Sequence, residues 1–343
     1  MYIVTINNNI LHDPRIKDYQ ILNPVLNLEI NKAHSFNFTI YPNNPMFNSI
    51  ERLKSIIEVY DDGELIFRGR PLNDTADFNK ATTIQCEGEL AYLNDSTMEP
   101  YSYFGPLRGL LELYINNHNA QVDVSKQFTL GTVNVTGDFV RSSIDYTNTW
   151  EELSTKTFGS GMGGYLRLRR ENDINYIDYL NDSPYISGQT IELSKNLLDY
   201  EKTVNASDIV TVLIPLGAKL KDEGGNETDE RLTIESVNNG SKFIEHTSGI
   251  SKYGRIVGYK VWDDINSPSL LKTRATSDLN FLVNLGISIK IKAVDLNILD
   301  KSIPKIRFFE YVKIISKPHE IDDSMLIKKQ TIHLDDPSQN TIS

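Results

Sequence analysis

Apolar and polar residues alternate along much of the start of the chain. Phe36, Phe38 and Ile40 are interleaved with Ser35, Asn37 and Thr39, and Leu26, Leu28 and Ile30 with Val25, Asn27, Glu29 and Asn31. A two-residue period sends every second side chain to one face, as in half-buried antiparallel strands. The pattern predicts strands over residues 2–6, 25–32, 35–41, 56–60, 65–67 running on past Gly69, and 81–93. Asp62-Gly63 lies between two of them and predicts a type I′ hairpin, because both central positions need positive φ. Residues 1–95 are therefore expected to form an antiparallel β-barrel-like domain.

The period then changes. Leu107, Leu110, Leu111, Tyr114 and Ile115 recur at three- and four-residue spacing and predict an amphipathic helix over 106–118, with Pro106 at its start. Trp150, Leu153 and Phe158 predict a second helix over 149–158, and strands over 165–170 and 174–180 should pair through Glu171-Asn172-Asp173. Residues 96–192 read as an α+β domain. From 193 to 343 strands return, predicted over 198–203, 209–220, 231–237, 243–246, 255–262, 287–294, 311–316 and 325–334. One helix interrupts them, from Ser267 to Leu285, with Ser-Pro at its start and Gly286 as C-cap. A mobile acidic loop over 222–230 completes this third, β-rich domain. The fold class predicted is α+β, mostly β, with two antiparallel β-barrel-like domains flanking an α+β one.

With 343 residues, 39% hydrophobic and 24% charged, the chain has the balance of a folded multidomain protein. The net charge of -11 argues against stable nucleic-acid binding, which rests on cations facing phosphate. A single cysteine, Cys86, excludes an intramolecular disulfide framework and multi-thiolate zinc. Neither a signal peptide nor a membrane-spanning stretch is present, so a soluble protein made in the cytoplasm, with no membrane partner, is expected.

Few residues suggest chemistry. The glycine run Gly159 to Gly164 could cradle phosphate, but a helix precedes it and a strand follows, the reverse of a phosphate loop. It reads as a connector. Arg167 and Arg169, with Arg170 beside them, form a solvated strand face or, functionally, a contact patch for an acidic partner. Asp222, Glu223, Glu227, Asp229 and Glu230 could hold calcium, yet their spacing is not that of an EF-hand and a mobile tip is expected. The six histidines are scattered without metal-ligand spacing. Cys86 shares a strand face with Ile84 and should be a buried, inert thiol. No catalytic, cofactor-binding or metal residue is therefore assigned, and no cofactor is expected.

Three stretches carry a resemblance. Phe67-Arg68-Gly69, followed by Cys86-Glu87-Gly88-Glu89-Leu90-Ala91-Tyr92-Leu93-Asn94-Asp95-Ser96, is similar to a run found in prophage tail proteins of Gram-positive bacteria. Gly163 to Arg169, Tyr179 to Asp182, Gln189 to Ile191, Asn196 to Leu198 and Leu213 to Ala218 resemble that family's central signature in order and spacing. Ala293 to Leu296 and Val312 to His319 continue the match. The family is the prophage endopeptidase tail family, the N-terminal hub region of tail-associated lysins in long-tailed phages, similar to the baseplate hub of contractile phages.

The resemblance implies a baseplate-hub-like fold and a homotrimeric ring at the tail tip of a virion, with two barrel-like domains per subunit matching a sixfold tail tube. It implies other phage tail proteins as partners: a distal tail protein, the tape measure, and fibre or receptor-binding proteins. DNA would pass through the ring without specific binding, past an acidic lumen. Longer members continue into a peptidoglycan-cleaving or fibre-forming extension, whereas this sequence stops at Ser343, so assembly and no enzymatic activity is the expected role. A tail-associated peptidoglycan hydrolase and a host receptor-binding module are the alternatives.

Overall fold

Phe36, Phe38 and Ile40 are buried while their neighbours in strand Ser35–Ile40 are not, so the period read from the sequence is the period of the fold. The computed structural model describes residues 1–160, 163–204, 206–222, 224–263, 265–283 and 287–343. The chain is mostly β, as its patterning predicts.

Its main element is a curled sheet of eleven strands. From one edge to the other these are Leu197–Val204, Ile287–Ala293, Thr341–Ile342, Lys329–His333, Leu22–Glu29, Ser35–Ile40, Thr82–Gly88, Glu64–Ala76, Ile57–Asp61, Tyr2–Ile6 and Asn9–His12. The two ends of the chain thus share one sheet: Lys329–His333 lies antiparallel to Leu22–Glu29, with Ile332 opposite Leu26. Phe36, Phe38, Ile57, Phe67, Cys86 and Ile332 fill the core beneath it.

A second core belongs to the middle of the chain. Helix Leu107–Asn119 begins after Pro106 and buries Leu107, Leu110, Leu111 and Tyr114 against Leu153, Leu166, Ile177 and Tyr179. Helix Thr149–Lys156 is capped by Asn148, whose side-chain oxygen accepts from Trp150 N at 2.9 Å and Glu151 N at 3.2 Å. Two smaller cores follow, one around Ile191, Ile291, Val312 and Ile314. The other packs helix Pro268–Leu282 on Leu213, Ile234 and Trp262. The expected C-cap Gly286 and the helix's last expected residue, Leu285, lie outside the described residues.

Turn chemistry behaves as predicted. Asp62 and Gly63 have φ of 51° and 84°, and Asn172 and Asp173 have 50° and 61°, each pair closing a two-residue hairpin of the I′ kind.

Several strand predictions are corrected. The strand expected over 81–93 ends at Gly88, where the ladder gives way to the 3-10 helix Glu89–Asp95. Leu90, Ala91, Tyr92 and Leu93 are all buried there, a run that alternation cannot describe. Residues 25–32 shift to Leu22–Glu29 because Asn31 turns the chain at φ 59°. Residues 209–220 split into Val212–Leu216 and Lys219–Lys221 at Gly217, which packs so close to Ile265 that a Cβ would sit 2.6 Å from its carbonyl oxygen. Residues 231–237 end in the 3-10 helix Glu235–Val237, with the strand moved forward to Glu227–Arg231. Residues 325–334 are two strands, Ile321–Leu326 and Lys329–His333, parted where Ile327 N turns to Glu310 O. Strands Tyr101–Pro106, Thr129–Val133 and Asp138–Ser143 have too little apolar alternation to be read in advance.

Candidate functional site

The residues singled out in the sequence are held by their own neighbours. Within the glycine run, Gly161 and Met162 lie outside the described residues. Gly163 and Gly164 have φ of 74° and 85°, and a Cβ on Gly164 would stand 2.5 Å from the Tyr179 ring. Tyr179 donates its hydroxyl to Gly163 O at 2.6 Å. The run lets backbone lie against an aromatic ring, as a connector does.

The arginines are not a solvated face. Arg167 donates to Tyr185 Oη at 2.5 Å and lies 4.7 Å over that ring. Arg169 bonds Asp178 at 2.9 Å and Glu171 at 2.5 Å. Arg170 bonds Asn175 at 2.9 Å and Asp173 at 3.0 Å.

In the acidic loop, Glu223 lies outside the described residues. Asp222 Oδ1 accepts from Gly224 N at 2.9 Å and Asn226 N at 2.8 Å, and these bonds, Asn226's first, hold its carboxyl below the ordinary value. Its oxygens thus shape the turn. Among the described residues no group of three His, Cys, Asp or Glu is placed to hold a metal ion.

Cys86 is buried in the main core, and that burial pushes its thiol well above the ordinary range. Because only the thiolate reacts, Ellman's reagent should leave Cys86 untouched in the native protein and label it fully after denaturation. Rapid native labelling would contradict its placement.

One arrangement that sequence reading missed looks like a nucleophile with its base. Ser96 Oγ lies 2.7 Å from His118 Nδ1 and 2.7 Å from Thr149 Oγ1, and His118 Nε2 faces Lys126 O at 3.1 Å. The carbonyl can only accept, so Nε2 carries a proton. All three side chains are buried, and burial lowers the His118 pKa. A hydrolytic serine has to meet substrate and an oxyanion site. This one is sealed between helices Leu107–Asn119 and Thr149–Lys156 and acts as a polar bolt. Its members stand too far apart in sequence to signal one another.

A cavity of about 980 Å³ lies where the main sheet, strand Tyr165–Glu171 and the segment 295–309 meet. It is rich in charge, and the charges are matched to one another. Lys301 reaches Asp62 at 2.7 Å, Lys305 reaches Asp61 at 2.6 Å, and Arg307 reaches Glu64 at 2.8 Å. Burial works to lower the Lys305 pKa, but its hydrogen bonds and charge attraction to Asp61 and Asp62 together outweigh this and the pKa is raised. The hydrogen bond from Lys301 leads those that hold the Asp62 carboxyl far below the ordinary range. Deeper in, buried Glu89 accepts from Arg68, from Asn175 at 3.0 Å and from Arg170 at 3.4 Å. These groups fasten three parts of the chain together. None stands as a lone acid, base or nucleophile aimed into the cavity.

The surface offers more than the cavity. Both edge strands of the eleven-stranded sheet, Leu197–Val204 and Asn9–His12, have one side without a strand partner. Phe104 and Val140 face each other across a two-stranded ribbon and are exposed together. Unpaired edges and exposed apolar pairs are features of surfaces that meet other chains.

Residues 186–343 match the family model described as prophage endopeptidase tail. No curated protein matches the chain. Among solved structures, the 43 kDa tail protein of prophage MuSo2 from Shewanella oneidensis is similar with a TM-score of 0.65 and 13% identity, over 99% of this chain and 96% of that one. The tail protein from Neisseria meningitidis MC58 gives 0.66 and 13%, over 99% and 95%. Prophage tail protein gp18 from Listeria monocytogenes EGD-e gives 0.59 and 13%, over 100% and 94%. The fold of the whole chain is that of prophage tail proteins.

Proposed function

From the tail-family match of residues 186–343 and the whole-chain prophage tail fold, we propose that this protein is a structural hub of a phage tail tip, assembled as a homotrimeric ring. The observation that carries the reading is the curled, open sheet. Its two edge strands have no strand partner on one side among the described residues, and in this reading copies related by rotation about one axis meet at them. In this reading residues 1–95 and 193–343, which share the eleven-stranded sheet, form the ring and 96–192 is a unit appended to it. Distal tail, tape-measure and fibre or receptor-binding proteins are its neighbours. The protein is made in the host cytoplasm and carried in the virion.

The role is assembly and not peptide-bond cleavage. Lys301, Lys305 and Arg307 of the junction are each bonded to a carboxylate, and the Ser96–His118 pair is shut away from substrate. A net charge of -11 suits a lumen through which DNA slides without sticking.

Gold-conjugated antibody against this chain should label intact particles at the distal tail tip alone. Label along the tube, or none, would overturn the reading. Light scattering of the purified protein should give one or three copies, and a stable dimer would count against the ring. A cleared band in a host-peptidoglycan zymogram would overturn the non-enzymatic role.

A further inference from the structure

A three-stranded sheet belongs to the chain's last helix-containing core and packs one face against that helix. Val212–Leu216 is its central strand, flanked by Ile244–Glu245 and by Val257–Val261, which is an edge. Leu213 packs with Leu271, Ala275 and Leu279 of helix Pro268–Leu282, and Lys260 reaches Asp278 of that helix at 2.5 Å. Those two side chains mark the helix side. Successive side chains alternate, so Ile214, Leu216, Val257, Tyr259 and Val261 lie on the other face, beside Val212, which is buried. They are in register, Ile214 beside Tyr259 and Leu216 beside Val261. None of the five is charged, Tyr259 is 74% exposed and Val257 49%. Beside them runs an edge of backbone N–H and C=O groups with no strand partner among the described residues.

Charge says what fits there. Val212–Leu216 and Val257–Val261 are parallel, so their C-terminal ends lie together. The first leads through Gly217 into the hairpin of Lys219–Lys221 and Glu227–Arg231, and the second leads to exposed Asp263. Among the described residues, Asp222, Glu227, Asp229, Glu230 and Asp263 outnumber Lys219, Lys221 and Arg231 at this end. We propose that this edge and apolar face accept an extended, apolar strand of a different protein, with basic residues at the end lying beside 219–231. Backbone hydrogen bonds supply the register, the Val257 and Tyr259 face takes alternate side chains, and the carboxylates set orientation.

The test uses the full chain and two synthetic peptides of alternating valine and threonine, one ending in three lysines and the other in three glutamates. Hydrogen exchange should slow over residues 257–261 with the lysine peptide alone. Asp229→Lys with Glu230→Lys should weaken that binding at least about fivefold, as loss of like-placed charge does. Tyr259→Asp, at an exposed site that leaves the circular dichroism unchanged, should abolish it. Equal protection by the glutamate peptide, or no protection by either, overturns the proposal. So does self-association of the free protein that Tyr259→Asp dissolves, which would make the face an interface between copies. Each readout is independent of whether the protein sits at a tail tip.

Discussion

Replacing Glu89 by alanine is expected to cost about 3 kcal/mol of stability, at the lower end of what breaking a buried ion pair costs. The carboxylate is 3% exposed and gathers Arg68 from the main sheet with Arg170 and Asn175 from the middle hairpin. Without it two guanidinium groups remain in a partly buried junction. Arg68 keeps Glu58 at 3.1 Å and Arg170 keeps Asp173 at 3.0 Å, which holds the loss below the upper end of the range. Urea unfolding of Glu89→Ala should show the loss, and Glu89→Gln should fall between, because the amide still meets Asn175 without the charge. Adding Arg68→Met and Arg170→Met to Glu89→Ala should recover most of it, since an apolar filling removes the stranded charges. A loss under about 1 kcal/mol would mean that the junction is wet and the network ornamental.

Acid should act on a second charged cluster, at the other end of the 3-10 helix Glu89–Asp95. Burial works to raise the Asp95 carboxyl, but hydrogen bonds from Arg70 and Lys126 outweigh it and hold the carboxyl below its ordinary value. Its contribution is present above the unfolded-state pKa and is lost as pH falls through the lower folded-state value. Stability should therefore decline on acidification in that low window and not near neutrality.

The network at Glu89 also marks where sequence reading stops. Strands with clean alternation, such as Ser35–Ile40, and turns such as Asp62-Gly63 were legible because their cause is local. Alternation tells which face a side chain takes and never which strand lies alongside, so nothing announced that Lys329–His333 joins Leu22–Glu29. The arginines at 167, 169 and 170 read as a solvated face because their partners, from Glu89 to Tyr185, are supplied by the fold. Ser96, His118 and Thr149 meet for the same reason. The apolar face at Val257 and Tyr259 was visible only as part of a strand, since exposure depends on what the helix leaves uncovered.

Replacing Gly69 by alanine should be the most damaging single-methyl change in the sheet, costing about 3 kcal/mol or more where overpacking cannot relax. Gly69 lies between Ile57 on one neighbouring strand and Gly88 on the other. An added Cβ would stand 2.1 Å from the Glu87 carbonyl oxygen and 2.7 Å from the Phe67 ring. The oxygen is backbone inside the ladder, and the ring is fixed in the core against Phe36 at 5.9 Å, so neither can swing aside. This accounts for the Phe67-Arg68-Gly69 run physically: the aromatic ring closes over a position that must have no side chain. Gly63, a few residues back, is the control. Its φ is +84° and nothing lies within 4 Å of an added Cβ, so Gly63→Ala should cost only the backbone preference, about 1 kcal/mol, and Gly63→Asn less still. Soluble yield and urea unfolding should therefore separate the two sites sharply. Equal losses at both would mean that glycine serves one conformational purpose in this sheet and that the close approach at Glu87 does not govern its packing.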